Sequence, residues 1–377
     1  MTEVPPVPLS RLTTLRTGAA PDRMFEARTR AELIDVLGQV WSGGDDWFVL
    51  GGGSNLFVGD DPFDGSVVRV LTEGIERLPA LREGFERLRI QAGHGWDRVV
   101  AFAVSHGLAG IEALSGIPGT AGAAPVQNVG AYGQEIVQTL VEVELIDEAT
   151  GTVSTVPAAG LGLGFRTSVL KHHYGSVPRR HAVILSLTLE LRRQDAPHRV
   201  PGEQLRTALG LEPEDAIALA QVREQILAIR ARKGMVLDAA DPDTYSAGSF
   251  FQNAVVTASF ARTLPDECPR WPIAPDPDPV RVIPLEAYAG VAPALGGPTP
   301  GVKVSSAWLI EHAGFSKGFH LPRSRAALSG KHALALTNRG GAQAAELAEL
   351  ARYIRLRVHS EFGLLLQPEP VLVGVEL

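Results

Sequence analysis

Short apolar blocks separated by Gly, Pro, Asn and Asp run through the first half of the chain. They predict strands at about 47–50, 66–71 and 87–92, followed by β-rich pieces in VEVELID, TGTV and AVILSLTLEL. Thr29 with Glu32 three residues later forms a capping-box signature ahead of AELIDVLGQV, and WDRVVAFAVSHG has the pattern of a second helix. Strands mixed with helices in this way predict an α+β fold.

Two longer segments of the second half carry apolar residues at helical spacing. PEDAIALAQVREQILAIRARKG, at 213–234, ends on Lys233 and Gly234, and AQAAELAELARYIRLRVHSEFG, at 342–363, ends on a glycine. Cations and glycine at these ends are typical of helix C-termini. Between the two helices, the segment at 264–301 is rich in Pro and Asp and has no clear period, so we expect an insertion or long surface loop.

The length of 377 residues is two to three times that of a usual domain, so several units with a cleft between them are expected. Composition changes at 193–203, where RRQDAPHRVPG follows the last strong strand, and a break between lobes is expected near 65–75. The predicted units are a first lobe at 1–70, a second lobe at 71–198, and a C-terminal domain at 199–377 that contains the 264–301 segment.

Composition and charge exclude several classes of protein. Apolar residues make up 45% and charged residues 20%, and no apolar run approaches the roughly 18 residues that would span a bilayer. Lys and Arg number 35 against 42 for Asp and Glu, and no basic block is present to neutralise a phosphate backbone. We therefore expect neither membrane insertion nor a nucleic-acid partner.

Cysteine usage bears on compartment and on metals. Cys268 is the single cysteine of the chain, which excludes an intramolecular disulfide, a thiolate metal cluster and a CxxC redox pair. The stretch MTEVPPVPLSRLTTLRTG has no apolar segment after an initial basic region, which is the wrong order for a secretory signal. We expect a cytoplasmic protein without a metal site.

Glycines cluster in two places in the first half. Nine lie between Gly93 and Gly133, and Gly51, Gly52 and Gly53 stand together directly after WFVL. Glycine lets backbone N–H groups approach an anion without a Cβ in the way, which a bound diphosphate requires. Tight turns without a ligand are the alternative for either cluster alone, but two clusters in one half of the chain favour a cofactor.

The usual nucleotide motifs are absent. GGGSNLFVGDDPFDG runs into Asp, Pro and Gly where a dinucleotide fingerprint would open a helix, and no GxxxxGK[ST] occurs. A diphosphate bound here would have to be held by the amides of loops.

Five segments, taken in order, resemble the flavin-dependent UDP-N-acetylenolpyruvoylglucosamine reductases of peptidoglycan synthesis. These segments are LGGGSNLF at 50–57, SGIPGTAGAAPVQNVGAYG at 115–133, LGFRTSVLK at 163–171, AGSFFQN at 247–253 and LQPEPVLVG at 366–374. The second is long and specific, whereas GGGSN is shared with other flavoproteins of this fold.

The resemblance implies a two-lobed FAD-binding half of the flavin-oxidase (PCMH-like) type, followed by an α+β substrate-binding domain. Members of the family reduce the enolpyruvyl ether of UDP-N-acetyl-3-O-(1-carboxyvinyl)-glucosamine to UDP-N-acetylmuramate, with NADPH as the electron donor. Hydride passes from NADPH to non-covalent FAD and then to the substrate. We expect this chain to do the same, as a monomer.

The resemblance also implies roles for individual residues. Arg166, Ser249 and Glu369 would be catalytic. The residues implied to bind FAD are Gly51, Gly52, Gly53, Ser54, Asn55, Gly119, Thr120, Gly122, Ala123, Gln127 and Asn128. Those implied to bind the substrate are Tyr132, Arg230, Lys233 and Asn253.

The chemistry of the reaction agrees with the catalytic set. Hydride addition to the terminal enolpyruvyl carbon leaves carbanion character at the adjacent carbon. This negative charge is delocalised into the carboxylate and needs stabilisation. The guanidinium of Arg166 is permanently charged and matches a carboxylate with a fork of donors. Glu369, if protonated, can donate to the same oxygens. Ser249 has no local base to make it a nucleophile, so a proton donor is the better interpretation.

Several residues have simpler interpretations. Arg230 and Lys233 lie in the last turn of a predicted helix, where cations oppose the negative end of the dipole, so capping is a full alternative to substrate binding. His172 and His173 are adjacent in sequence and have no evident third ligand, so a surface position or one near the diphosphate is expected instead of a metal site. His94 is expected to be a loop histidine without a covalent flavin bond.

The chain also departs from its relatives. Gln252 and Ala254 stand where many relatives have lysine and proline, and PGEQL from Pro201 stands where a branch of the family carries a lid tyrosine. With that alignment, the tyrosine contact with the nucleotide is either absent or supplied elsewhere, by Tyr174 or by the 264–301 segment.

Two other function classes remain open at this stage. A flavin oxidase of related fold would need neither Ser249 nor the Arg230 and Lys233 pair, and often links its flavin covalently. A non-catalytic flavin or sugar-nucleotide binding protein would keep the glycine loops but could lose Arg166, Ser249 or Glu369. All three of these residues are present.

Overall fold

The computed structural model describes residues 2–171, 179–273 and 301–377. The first lobe carries a sheet of order β1-β2-β5-β3, in which β2, β5 and β3 are parallel. Thr29 starts helix α1 of this lobe with the predicted capping box. The Thr29 side chain accepts from Glu32 N–H, and the Glu32 side chain accepts from Thr29 N–H. Its elements are β1 Glu3–Val4, β2 Arg23–Ala27, α1 Arg30–Gly43, β3 Trp47–Leu50, β4 Leu56–Val58 and β5 Ser66–Val70.

The second lobe is built on a sheet of order β12-β11-β13-β7-β6, with β8 pairing with β13 at one end. The pairs within this sheet are antiparallel, and β13 is the longest strand. Its elements are β6 Ile75–Leu78, β7 Phe85–Gln91, α2 Trp96–Ser105, β8 Leu108–Ala109, β9 Gly130–Ala131, β10 Gln134–Glu135, β11 Leu140–Asp147, β12 Val153–Pro157 and β13 Ala182–Arg193.

The C-terminal domain combines small sheets with helices. Its long last helix ends as the sequence predicts, at Gly363, which takes the left-handed conformation with φ of 68°. The elements are β14 His198–Arg199, α3 Glu203–Leu209, β15 Ala216–Ile217, α4 Leu219–Arg232, β16 Val255–Thr257, α5 Ala258–Ala261, β17 Arg270–Pro272, β18 Gly301–Val304, α6 Ser306–His312, β19 Ala326–Leu328, β20 Leu336–Asn338, α7 Ala344–Phe362 and β21 Val371–Val373.

The buried apolar clusters cross the boundaries between these units. Phe25 and Leu33 of the first lobe share one cluster with Leu88 and Trp96 of the second. Leu15 and Phe57 of the first lobe belong instead to the cluster of the C-terminal domain, together with buried side chains of α6 and α7. The first lobe therefore packs on both other units, and apolar burial holds residues distant in sequence at fixed positions.

Two predictions of local structure need correction. The helix predicted at 213–234 begins only at Leu219, because Ala216 and Ile217 form β15, which pairs with β14. The segment at 264–301 is not a loop at its described ends, because β17 and β18 pair there beside β16. Residues 274–300 of that segment lie outside the described residues, as do His172, His173 and Tyr174.

Most other predicted elements are confirmed. The strands expected at 47–50, 66–71 and 87–92 appear as β3, β5 and β7, and the helix expected in WDRVVAFAVSHG appears as α2. Within the described ranges, no helix has both the length and the apolar character needed to cross a membrane.

Candidate active site

The segment after α7 returns to the first lobe and carries Glu369 with it. Strand β21 pairs in parallel with β4, and Val371 N–H donates to Asn55 O at 2.9 Å. Two residues earlier in the chain, the Glu369 N–H donates to Phe250 O at 2.8 Å. The segment that contains Glu369 is thereby bonded to both the GGGSN loop and the AGSFF segment, and all three segments are far apart in sequence.

Arg166 meets Glu369 in the structure. The guanidinium Nε lies 3.1 Å from Oε1 of Glu369, and Nη2 donates to Gly130 O at 3.0 Å. The Arg166 side chain is 21% exposed and that of Glu369 is 14% exposed, so the pair is largely shielded from solvent. The backbone of Arg166 has φ of 56°, a strained conformation for a residue other than glycine.

Ser249 precedes a residue whose backbone is bonded to that of Glu369. Phe250 is fully buried, its N–H donates to Leu334 O at 2.7 Å, and its carbonyl accepts from Glu369. The Ser249 hydroxyl lies 3.2 Å from Nε2 of His332. The structure thus brings the segment that contains Ser249 to the backbone of Glu369, whose side chain pairs with Arg166.

The two glycine clusters pack directly against each other. An ideal Cβ on Gly52 would lie 2.6 Å from Gly119 Cα, and one on Gly53, whose φ is 60°, would lie 2.0 Å from Leu12 O. Ser54 completes the contact by donating to Pro118 O at 3.1 Å. Gly52 is therefore needed for the approach of one loop to the other, and Gly53 for the packing of its loop on Leu12, reasons that the sequence pattern did not indicate.

The loops differ in how many N–H groups they leave free. Within the described residues, the N–H groups of 52–55 and of Gly119 and Thr120 donate to no protein acceptor. By contrast, Gly122 N–H donates to Ala92 O at 2.8 Å and Ala123 N–H donates to Thr120 O at 3.1 Å. The N–H groups of 52–55, Gly119 and Thr120 are thus available to an anion, whereas a cofactor contact at Gly122 or Ala123 would have to use another atom.

Gln127 and Asn128 have side chains that are engaged within the protein. Asn128 is buried, and its amide group donates to Glu135 and to Gly164 O at 2.8 and 3.0 Å. Gln127 Oε1 accepts from Asn55 Nδ2 at 2.7 Å, which ties the two loops together.

Two further cations lie near Arg166, and the sequence had given neither of them a role. Lys171 is buried, and its Nζ donates to Gln127 Oε1 and to Glu369 O at 3.3 and 3.1 Å. Burial lowers the pKa of Lys171, and repulsion by Arg166 acts in the same direction. Lys303 lies over the ring of Phe165 at 5.1 Å, and burial followed by repulsion from Arg166 lowers its pKa as well. Positive charge from Arg166, Lys171 and Lys303 therefore accumulates near the carboxylates of Glu369 and Glu135.

The predicted substrate residues lie around the end of α4. Arg230 Nη2 donates to Met235 O at 2.9 Å and to Gly116 O at 3.4 Å, and its Nε is buried without a partner among the described residues. Lys233 Nζ lies 5.8 Å from the ring centroid of Tyr132. Burial lowers the pKa of Arg230 and raises that of Tyr132.

Asn253, the fourth predicted substrate residue, and His94 have hydrogen-bond partners away from Arg230 and Lys233. The side-chain oxygen of Asn253 accepts from Ser306 N–H at 3.1 Å, at the start of α6. His94 accepts from Gly74 N–H at 3.4 Å, and burial lowers its pKa. In the described ranges, no group of three His, Cys, Asp or Glu side chains is placed to hold a metal ion.

A pair of glycine loops with free N–H groups, next to a shielded cationic centre, fits the diphosphate and the redox half of a flavin nucleotide. Residues 21–157 match the family described as FAD binding domain, so fold and site together define an FAD-dependent oxidoreductase. Residues 241–373 match the family described as UDP-N-acetylenolpyruvoylglucosamine reductase, C-terminal domain. The chain belongs to the UDP-N-acetylenolpyruvoylglucosamine reductase family.

Individual relatives agree along the whole chain. The UDP-N-acetylenolpyruvoylglucosamine reductase of Leifsonia xyli subsp. xyli is 49% identical and covers 99% of both chains. That of Saccharopolyspora erythraea is 45% identical, over 98% of this chain and 95% of its own. The crystal structure of the reductase from Thermus caldophilus covers 99% of this chain and 100% of that one, with a TM-score of 0.61 at 23% identity, and shares the fold.

Proposed function

We propose that this protein reduces the enolpyruvyl ether of UDP-N-acetyl-3-O-(1-carboxyvinyl)-glucosamine to UDP-N-acetylmuramate in the cytoplasm, with NADPH as the electron donor. The observation that carries the proposal is the Arg166–Glu369 pair, together with the bond from the Glu369 N–H to the carbonyl of Phe250, the residue after Ser249. A permanent cation, a carboxyl group and a hydroxyl at one site meet the needs of a substrate that gains a hydride and then a proton.

FAD would be held without a covalent bond, mainly by the free N–H groups of 52–55 and of Gly119 and Thr120. Gly51 and Gln127 belong to the same two loops and would also contact FAD. Gly122, Ala123 and Asn128 would hold the shape of the second loop through their hydrogen bonds within the protein. When bound, FAD would supply the two-electron redox chemistry between NADPH and the enolpyruvyl group.

Arg166 would bind the carboxylate of the enolpyruvyl group and stabilise the negative charge that develops on it. The guanidinium is oriented by Glu369 and by Gly130 O, so little reorganisation is needed when that charge appears. Lys171 and Lys303 add positive potential at the same place. Because these cations outnumber the carboxylates that they contact, an anionic ligand would be drawn to the site.

Ser249 would supply the proton to the carbon next to the carboxylate. A hydroxyl is a weak acid, but the carbanion is a strong base and needs only a close, well-aligned donor. Glu369 forms an ion pair with Arg166 in the structure, so its first role would be to orient that guanidinium.

The nucleotide part of the substrate would lie toward the end of α4. Lys233 and Tyr132 form a cationic and aromatic pair there, and Arg230 adds a buried positive charge. Asn253 would approach the substrate from the segment after Ser249. These four residues together present donors and positive charge, which suit a sugar diphosphate.

Anaerobic mixing tests the proposal directly. NADPH should bleach the flavin absorbance of the purified protein, and subsequent addition of the enolpyruvyl UDP-sugar should restore it in the absence of oxygen. A flavin that only oxygen can reoxidise would identify an oxidase and overturn the proposal.

A further inference from the structure

The hydroxyl of Ser249 has one side-chain neighbour whose role the reaction does not yet explain. Oγ of Ser249 and Nε2 of His332 are 3.2 Å apart, although the two residues are separated by 83 positions in sequence. At this distance one of the two atoms donates a hydrogen bond to the other, and the tautomer of the imidazole decides which one does.

The surrounding backbone fixes this contact. Phe250 N–H donates to Leu334 O at 2.7 Å, so the segment that contains Ser249 is bonded through its backbone to the segment that contains His332. The turn that carries His332 is closed by Ser329, a fully buried residue whose hydroxyl accepts from the N–H groups of Lys331 and His332 at 3.0 and 3.3 Å. The imidazole is therefore placed beside Ser249 by the fold.

The charges around His332 determine its protonation. Lys233 and Arg230 act on it from the end of α4, and Lys317 acts on it from the loop before β19. Burial first, and then these three cations, lower the pKa of His332 to about 4. The ring is neutral at neutral pH, so it carries one N–H and has one nitrogen that can accept.

We propose that His332 is a positioning residue for Ser249, whose Oγ accepts a hydrogen bond from Nε2–H so that the serine proton is directed toward the substrate carbon. The opposite tautomer would draw the serine proton to Nε2 and away from the carbon. As the proton leaves, Oγ gains negative charge, and the N–H donor stabilises it there. This proposal rests on the proposed role of Ser249 as the proton donor.

Three variants of the FAD-loaded enzyme test the idea. His332→Leu removes the donor, and His332→Gln offers an amide N–H in its place. His359→Leu removes an exposed histidine of α7 as a matched control. The measurements are flavin content, the rate of flavin reduction by NADPH, kcat and KM, and the rate of flavin reoxidation by the enolpyruvyl substrate without oxygen.

We expect His332→Leu to slow reoxidation by the substrate roughly 10- to 100-fold through lost alignment, with flavin content, reduction by NADPH and KM unchanged. His332→Gln should recover most of that rate, and His359→Leu should match the wild type. In the Ser249→Ala background, His332→Leu should cause no further loss, since the residue acts through the serine.

The outcomes that overturn the proposal are distinct from those that overturn the role of Ser249. The positioning role alone would be rejected if His332→Leu reoxidised its flavin at the wild-type rate, or if only KM changed. It would also be rejected if His332→Leu slowed reoxidation by the same factor in the wild-type and Ser249→Ala backgrounds. Wild-type turnover in Ser249→Ala would reject the proton donor itself, and with it any role for His332 that acts through Ser249.

Discussion

At the scale of single residues, the site carries unusual backbone conformations. Arg166, Asn128 and Tyr132 have φ between 46° and 56°, where an L-residue pays a cost of about 1 kcal/mol or more. Asn128 is held there by its three side-chain hydrogen bonds, and Arg166 by Glu369 and Gly130 O. The surrounding contacts outweigh the local strain, and the side chains gain fixed directions toward the site.

Arg166→Ala tests the assignment of charge stabilisation. Flavin content and reduction by NADPH should change little, while reoxidation by the enolpyruvyl substrate should slow by about 10²- to 10³-fold, the usual effect of losing one preorganised donor. Stopped-flow measurement of the two half-reactions separates them. Arg323→Ala is a matched control, because Arg323 is exposed and also has a positive φ, of 66°. Equal slowing of both half-reactions would instead assign Arg166 to flavin binding or structure.

Ser249→Ala tests the proton donor. The substitution removes one oxygen from a part-buried side chain, so folding, flavin content and reduction by NADPH should be nearly unchanged. Turnover should fall by about 10²- to 10⁴-fold, as expected for loss of a positioned acid. In heavy water, we expect the variant to introduce little solvent deuterium into the lactyl position. Full turnover would mean that the proton comes from water or from another group.

At the scale of elements, the two glycine loops function as one structure. Each loop fills the space that a side chain would take on the other, and Asn55 and Gln127 join them by a hydrogen bond of 2.7 Å. Neither loop would keep its shape alone, so the free N–H groups depend on the packing of the first lobe against the second.

Gly52→Val should therefore yield protein with little bound flavin. The valine side chain would collide with the Gly119 backbone, where nothing flexible can move aside. Gly38→Ala is the matched control, because Gly38 lies within α1 with no atom near its missing Cβ. This control should bind flavin normally and be more stable by about 0.5–1 kcal/mol. Flavin absorbance after gel filtration measures the binding, and a fully yellow Gly52→Val protein would contradict the assignment of the loop.

At the scale of the whole molecule, burial of His332 links stability to pH. An unfolded chain protonates this histidine below about 6.5, whereas the folded chain does so only below about 4. Between these values the unfolded state binds more protons, so the free energy of unfolding falls as the pH falls. Burial also lowers the pKa of His198 and of His94, so these histidines make the unfolding free energy fall with pH in the same way.

His332→Gln should remove one part of this pH dependence. Between pH 7 and pH 5, we expect the wild type to lose about 2 kcal/mol more unfolding free energy than the variant, by linkage to the shifted pKa. Urea unfolding at several pH values in excess FAD measures the difference. The other histidines are common to both proteins, so the difference between slopes isolates His332. Parallel curves would show that His332 titrates normally in the folded state.

Much of the local structure could be predicted from the sequence. The capping box at Thr29, the strand before the glycine triplet and the glycine end of α7 depend on neighbours within a few residues, and the pattern of those neighbours is legible in the sequence. The start of α4 was predicted wrongly, because β15 forms only by pairing with β14 about eighteen residues away. The resemblance in five segments supplied the family and its catalytic residues.

The sequence by itself thus determined the class of fold, most elements, the glycine clusters and the residue types that suit the chemistry. Only the tertiary structure decided that Gly52 packs on Gly119, that β21 carries Glu369 to Arg166 by pairing with β4, and that Lys171 contacts Glu369 and His332 contacts Ser249. The reason is physical. Periodicity and caps act over a few residues, whereas these contacts join segments tens to hundreds of positions apart, and the combined burial of several apolar clusters holds them in place.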